Sequence, residues 1–293
     1  MCCASCGIAE VDDVKLKDCD GCDLARYCSD ACRELHRPEH VGKCKKRAAE
    51  LLDEILFRQP ESSHLGDCPI CCLPLPLNMK ENMLQTCCSK VICVGCSYAN
   101  DSYQTRANIH PTCPFCRHPI PKTAEEIKKI KMKRGKANDP AAIRELGNVH
   151  WKEGDYDRAF KYWTKAAELG DANAHNNLSI MYMKGEGVEE DETKELYHLE
   201  EAVIRGHPDA RFSLANWDWE DGKIERAVKH FTIAANLGHD ESLEALKQCY
   251  KDGLVSKDDF AAALRAHHAA VKATKSPERE VGENFQRFRM NFV

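Results

Sequence analysis

Cysteine placement constrains this chain more than any other feature of its sequence. Of 18 cysteines, 17 lie within the first 116 residues, and only Cys249 lies beyond them. Between Cys68 and Cys116 all but Cys72 fall in four pairs: Cys68-x2-Cys71, Cys87-Cys88, Cys93-x2-Cys96 and Cys113-x2-Cys116. Eight thiolates in series suffice for two tetrahedral zinc sites. A segment this short buries too little apolar surface to fold alone, and structural zinc, at about 10–16 kcal/mol of apparent binding energy per ion, closes that gap. The first stretch has the same character. Cys3-x2-Cys6, Cys19-x2-Cys22, Cys28-x3-Cys32 and His40-x3-Cys44 supply seven thiolates and one imidazole at spacings that suit zinc.

Composition narrows the setting in which those thiols act. A chain of 293 residues with 30% charged and 43% hydrophobic positions has room for two or three domains. A net charge of −5 gives no overall reason to expect nucleic acid. No apolar run reaches the length of about 20 residues that a membrane helix needs, and the N-terminus shows no apolar signal core. The expectation is an intracellular protein, cytoplasmic or nuclear, whose thiols bind metal rather than pair as disulfides.

The stretch Arg26-Tyr27-Cys28-Ser29-Asp30-Ala31-Cys32, followed by His36, His40 and Cys44, resembles the MYND-type zinc finger across residues 3–44. The resemblance implies interleaved ligation: Cys3, Cys6, Cys28 and Cys32 on one zinc, Cys19, Cys22, His40 and Cys44 on another. His40 and Cys44 sit at i, i+4 on one helical face, with His36 a turn earlier as the alternative ligand. Cys3 gives the usual two-residue gap to Cys6, and Cys2 does not. The family generally binds short proline-containing peptides. Here Arg33 and Arg37 stand where it usually has Gln and Trp, which favours an acidic peptide. A helix is expected from Lys43 to about Arg58, then a linker at Gln59-Pro60-Glu61-Ser62-Ser63, so that residues 45–66 join the two fingers.

Cys68-Pro-Ile-Cys71 and Cys113-Pro-Phe-Cys116-Arg117 bracket a module, residues 67–118, that resembles the RING family. The resemblance implies a cross-brace, with Cys68, Cys71, Cys93 and Cys96 on one zinc and Cys87, Cys88, Cys113 and Cys116 on the other. Four zinc ions are therefore expected in all. Adjacent cysteines replace the family's usual middle ligands, so Cys87 needs a tight bend; His110, His118 and Cys72 are the substitutes if it fails. Such modules hold a ubiquitin-charged conjugating enzyme in a reactive pose and supply no covalent nucleophile. At the family's contact positions stand Ile70, Pro114 and Arg117, with Tyr98 the nearest candidate for a further partner-facing aromatic.

Residues 119–138 read as a basic connector, with Lys128, Lys129, Lys131, Lys133, Arg134 and Lys136. A repeat follows over 139–275: Gly170, Gly206 and Gly238 recur at steps of 36 and 32, and Leu146, Leu178, Leu214 and Leu246 at 32, 36 and 32. Paired helical patterns at periods near 35 predict an all-α solenoid of helix pairs. Ala174-x3-Leu178-x3-Tyr182 with Gly185-Glu186-Gly187 resembles the Sel-1-like repeat, a relative of the tetratricopeptide repeat. Four copies are expected, the third departing at Trp217-Asp218-Trp219 and the last degenerate. Residues 276–293 read as a charged tail, with Phe285, Phe288, Met290 and Phe292 able to dock on the array.

The fold expected is multidomain: two small zinc-stabilised fingers, then an all-α solenoid. The function these resemblances imply is a RING-type ubiquitin ligase whose partners are a ubiquitin-conjugating enzyme, ubiquitin and protein substrates on the solenoid and first finger. The alternative is a non-catalytic zinc-finger adaptor. No membrane or nucleic-acid partner is expected.

Overall fold

The computed structural model describes residues 2–10 and 15–290, which form two compact units, residues 1–58 and 59–293. Phe292 and the side chain of Met290 lie outside the described residues.

In the first unit, β1 (Lys17–Asp18) pairs antiparallel with β2 (Arg26–Tyr27), and one helix, α1 (Asp30–Leu56), follows. Ser29 starts α1 by accepting from the Cys32 amide at 3.3 Å, the expected role of a serine N-cap. The two helical stretches read from sequence are thus continuous, with Pro38 inside them. The apolar core is small: Cys3, Leu16, Ala25 and Tyr27.

The second unit begins with a hairpin, β3 (Asn82–Gln85) against β4 (Lys90–Cys93), preceded by a short 3-10 turn and followed by α2 (Val94–Arg106). Ten helices complete it. They are α3 (Ala124–Lys136), α4 (Pro140–Lys152), α5 (Tyr156–Glu168), α6 (Ala172–Lys184), α7 (Glu192–Ile204), α8 (Pro208–Glu220), α9 (Ile224–Asn236), α10 (Asp240–Lys251), α11 (Lys257–Ala273) and α12 (Pro277–Met290). From α4 to α11 they pack as four successive helix pairs, each against the next.

The recurring residues have one structural role each. Leu178, Leu214 and Leu246 are buried on α6, α8 and α10, and Ala166, Ala202 and Ala234 are fully buried on α5, α7 and α9. Trp163, Leu199 and Phe231 are buried on the same three helices. Each glycine of the repeat has positive φ, at 87°, 79° and 91°, which lets the chain reverse at no steric cost. The next amide then bonds back to the repeated alanine: Asp171 to Ala166, His207 to Ala202 and His239 to Ala234. Those same three residues cap α6, α8 and α10 with their side chains. One turn residue therefore closes one helix and opens the next.

Trp163 shows how tight the packing is. A Cβ on Gly147 would fall 2.5 Å from its indole, and its Nε1 donates to the Arg144 carbonyl at 3.2 Å and to Asn148 Oδ1 at 3.1 Å. Trp163→Ala is expected to cost about 3–5 kcal/mol, read as a lower midpoint in urea denaturation; an unchanged midpoint would refute this packing role. The departure at Trp217-Asp218-Trp219 also has a reason. Asp218 is buried, accepts from Arg226 Nε at 3.2 Å and lies 3.5 Å from His230 Nε2, so this pair carries a charged network where the second and fourth carry Tyr182 and Tyr250.

The basic connector is a packed helix: α3 lies on α4, with Lys131 and Arg134 bonded to Glu145 and Asp139. The charged tail is helix α12, and it packs on α2 rather than on the repeat array. Phe285 packs against the half-buried Tyr98, ring centroids 4.8 Å apart and planes tilted by 47°.

Candidate metal centres

Three turns of the same design place the cysteine pairs. In each, the first cysteine's amide bonds to the carbonyl five residues on, and its carbonyl accepts from the amide four residues on. The turns are Cys3–Ile8, Cys68–Leu73 and Cys113–His118, closed by the bridges Cys2–Ala9, Asp67–Pro74 and Thr112–Pro119. The fourth position after the first cysteine has positive φ in all three: Gly7 at 75°, Cys72 at 56° and Arg117 at 60°. Cys72 is thus the hinge of its turn, with its side chain exposed, and takes no part in a cluster.

Among the described residues, ligand atoms gather in four groups, each within 4.8 Å: Cys3, Cys6, Cys28 and Cys32; Cys19, Cys22, His40 and Cys44; Cys68, Cys71, Cys93 and Cys96; and Cys87, Cys88, Cys113 and Cys116. In the first finger, Cys6 and Cys32 each lie 3.6 Å from Cys28, Cys19 lies 3.6 Å from Cys44, and Cys22 Sγ lies 3.3 Å from His40 Nε2. In the second, Cys71–Cys93 is 3.8 Å, Cys88–Cys113 is 3.9 Å and Cys87–Cys116 is 3.3 Å. Zinc–sulfur bonds of about 2.3 Å put tetrahedral sulfurs about 3.8 Å apart, so the spacing fits the ion.

The donor chemistry fits as well. Within the clusters the thiols do not ionise alike: a backbone hydrogen bond from Cys6 leads in holding Cys3 down at about 6, whereas burial pushes Cys44 up to about 12 and Cys88 up to about 11. A divalent cation at the centre supplies the charge that lets them all deprotonate. Zinc bound there would act structurally, since every site has four protein ligands and no open position.

The alternatives weighed from sequence fall elsewhere. His36 lies outside the clusters, its Nδ1 3.0 Å from the buried Tyr27 hydroxyl, with its ring stacked on His40. His110 and His118 are exposed, and among the described residues their rings meet neighbouring proline carbonyls, at 3.4 and 2.8 Å. Cys87 and Cys88 occupy the β3–β4 turn, where Ser89 has a φ of 54°. Arg134 fixes that bend, donating to the Cys87 and Cys88 carbonyls at 3.1 and 3.2 Å and to Ser89 Oγ at 3.0 Å. No sequence signal tied this connector residue to the metal turn. On the first finger, Arg33 pairs with Asp20 and Asp30, and Arg37 with Glu34, so both arginines already face carboxylates. Ile70 and Arg117 are exposed and Pro114 is half-buried.

Comparison with known proteins agrees with two of the three modules. The MYND finger family model matches residues 3–44, and the Sel1 repeat model matches residues 141–171, 172–207 and 220–239. Residues 3–44 are a MYND finger, and the helical array carries Sel1 repeats. The gap at 208–219 coincides with the Trp217-Asp218-Trp219 departure. Similar proteins include "DAP3-binding cell death enhancer 1" of Mus musculus, 26% identical over 175 residues, covering 46% of this chain and 34% of the relative. Its Rattus norvegicus counterpart is 25% identical over 47% of this chain and 35% of the relative. "Chitin synthase regulatory factor 4" of Schizosaccharomyces pombe is 30% identical over 29% of this chain and 14% of the relative. The chain thus spans about a third or less of the length of the curated relatives it matches. Among solved structures, a Sel1 repeat protein from Oxalobacter formigenes aligns with a TM-score of 0.44 and 20% identity, covering 61% of this chain and 73% of that one. No helix among the described residues is long and apolar enough to cross a membrane.

Proposed function

We propose that this protein is a zinc-stabilised adaptor that assembles protein partners through its zinc fingers and Sel1 array. The observation that carries the reading is how the second finger is built into that array. Arg134 of α3 holds the Cys87–Ser89 turn, and Arg279 of α12 holds the Cys71–Pro74 turn. The leading strap is held too: the His64 amide bonds to the Gly206 carbonyl at 2.9 Å, and Gln59 accepts from Asn236 at 3.0 Å. A partner on the array would therefore stand at a fixed distance from one on the second finger, the arrangement an adaptor needs. The relatives' names fit this reading, since they describe binding another protein and regulating an enzyme. Once two partners are identified by proximity labelling, a ternary complex on size exclusion is expected. Mutual exclusion of every pair would sink the adaptor reading.

A second reading, a RING-type ubiquitin ligase, draws support from the final cysteine turn. Ile70 is 41% exposed, and the exposed Arg117 side chain makes no hydrogen bond or ion pair among the described residues. A guanidinium in that position can donate to two carbonyls of a docked conjugate at once. On this reading, ubiquitin discharge from at least one conjugating enzyme is expected, and Arg117→Ala lowers it roughly 10–150-fold, the value of a charge-assisted hydrogen bond. Discharge at the uncatalysed rate across a full enzyme panel leaves the adaptor alone.

A further inference from the structure

The second finger closes near residue 118, yet a side chain 208 positions beyond Cys71 reaches that cysteine. Arg279, on the first turn of α12, is 2% exposed. Its Nη2 donates to Cys71 Sγ at 3.2 Å and to the Leu73 carbonyl at 3.0 Å, and its Nη1 to the Pro74 and Thr274 carbonyls at 2.6 Å each. Leu73 and Pro74 belong to the turn that carries Cys68 and Cys71. One guanidinium therefore ties the sulfur, its turn and the start of α12 into a single bonded group.

Backbone contact holds the helix in this place. A Cβ on Gly95 would fall 2.8 Å from the Arg279 backbone, and one on Gly282 would fall 2.8 Å from Val94 and Gly95. Only glycine at both positions lets α12 and α2 touch this closely, and α2 itself begins at the ligands Cys93 and Cys96. Zinc held by Cys68, Cys71, Cys93 and Cys96 would carry a net charge of about −2, since four thiolates outweigh one divalent ion. A buried guanidinium needs such a counter-charge, and a thiolate that accepts an N–H is held in orientation and partly neutralised.

We propose that α12 is a working part of this metal site and that Arg279 is a positioning residue that keeps Cys71 on its ion. The proposal goes beyond the adaptor reading and stands whether or not that reading survives. It also gives α12 a consequence: whatever draws it from α2 loosens this ion and leaves the other three. The Cys87–Cys88 site is braced separately by Arg134.

The test uses the full chain loaded with zinc and challenged with a chromogenic chelator. In Arg279→Met, one ion of four is expected to leave about 10–100-fold faster, with the others at wild-type rates. Arg279→Lys, which retains one charged donor, should fall between. After cobalt(II) loading, Arg279→Met should shift the thiolate-to-metal charge-transfer band, a change that lost packing alone would not produce. Wild-type release with an unshifted band overturns the proposal, as does equal acceleration of all four ions. Should circular dichroism show Arg279→Met unfolded, Gly282→Ala takes its place, because it keeps the arginine and wedges α12 off α2. Selective release of one ion there supports the proposal, and wild-type release overturns it.

Discussion

Stripping zinc with a strong chelator is expected to unfold residues 1–58 while the helices from α4 to α11 stay formed. The first unit has four residues in its apolar cluster, one of them the ligand Cys3, and two-residue strands. Against that small burial, two structural ions at about 10–16 kcal/mol each dominate its stability. Without them α1 is an isolated helix with Pro38 inside it, which is marginal in water. The array has no such dependence. Its clusters around Trp163, Leu178 and Met181, and around Phe231 and Leu246, contain no zinc ligand. The second finger should respond in between, because two of its four clustered core residues, Cys68 and Cys93, are ligands while Arg134 and the residue 59–64 strap still hold it. Hydrogen exchange with mass spectrometry, before and after chelation, reads all three regions at once. Persistent protection in residues 1–58 without metal would contradict the prediction.

The second large effect is acid sensitivity of the array. Burial holds His64 down at about 4 and His207 at about 3, and burial with the Arg211 and Arg226 guanidiniums holds His230 at about 3. Geometry explains why they stay neutral. The His64 and His207 rings stack 4.1 Å apart, and His207 Nδ1 must keep its lone pair to accept from the Ala210 amide at the start of α8. In the unfolded chain these histidines titrate near 6.5. Below about pH 6.5 the unfolded state therefore takes up protons that the native state refuses, so stability falls as pH falls, until the native values are reached. Each contributes at most about 2 kcal/mol of loss at pH 5. Asp171, whose carboxyl burial pushes up, acts in the opposite sense. Zinc ligands also take up protons in acid, so the informative comparison is wild type against His207→Asn, which caps without titrating. Denaturation curves should converge near pH 7.5 and favour the variant by about 2 kcal/mol at pH 5. Parallel curves across that range would exclude His207 as a source of the loss.

How much was legible beforehand depends on the range of the interaction. The grouping of Cys19, Cys22, His40 and Cys44 follows from spacing together with family resemblance, because each ligand pair lies within one turn of chain. The helix pairs were readable from Ala166, Ala202 and Ala234, since a repeat states its packing rule several times. His36 and Cys72 were ambiguous in sequence for a physical reason: a cysteine in a hinge and a histidine on a phenol have the same composition as ligands. Their roles rest on φ at Cys72 and on a 3.0 Å contact to Tyr27.

What the sequence by itself determined was therefore local and periodic: where metal can bind and where helices pair. Tertiary structure alone decided that the connector and the charged tail belong to the second finger. Arg134 lies 47 positions from Cys87 and Arg279 lies 208 from Cys71, and no periodicity links them. Each is a charged residue in a charged stretch, the commonest mark of a solvated surface. Only the carbonyls each guanidinium reaches distinguish these two from the lysines around them: Cys87 and Cys88 for the partly exposed Arg134, Leu73 and Pro74 for the buried Arg279.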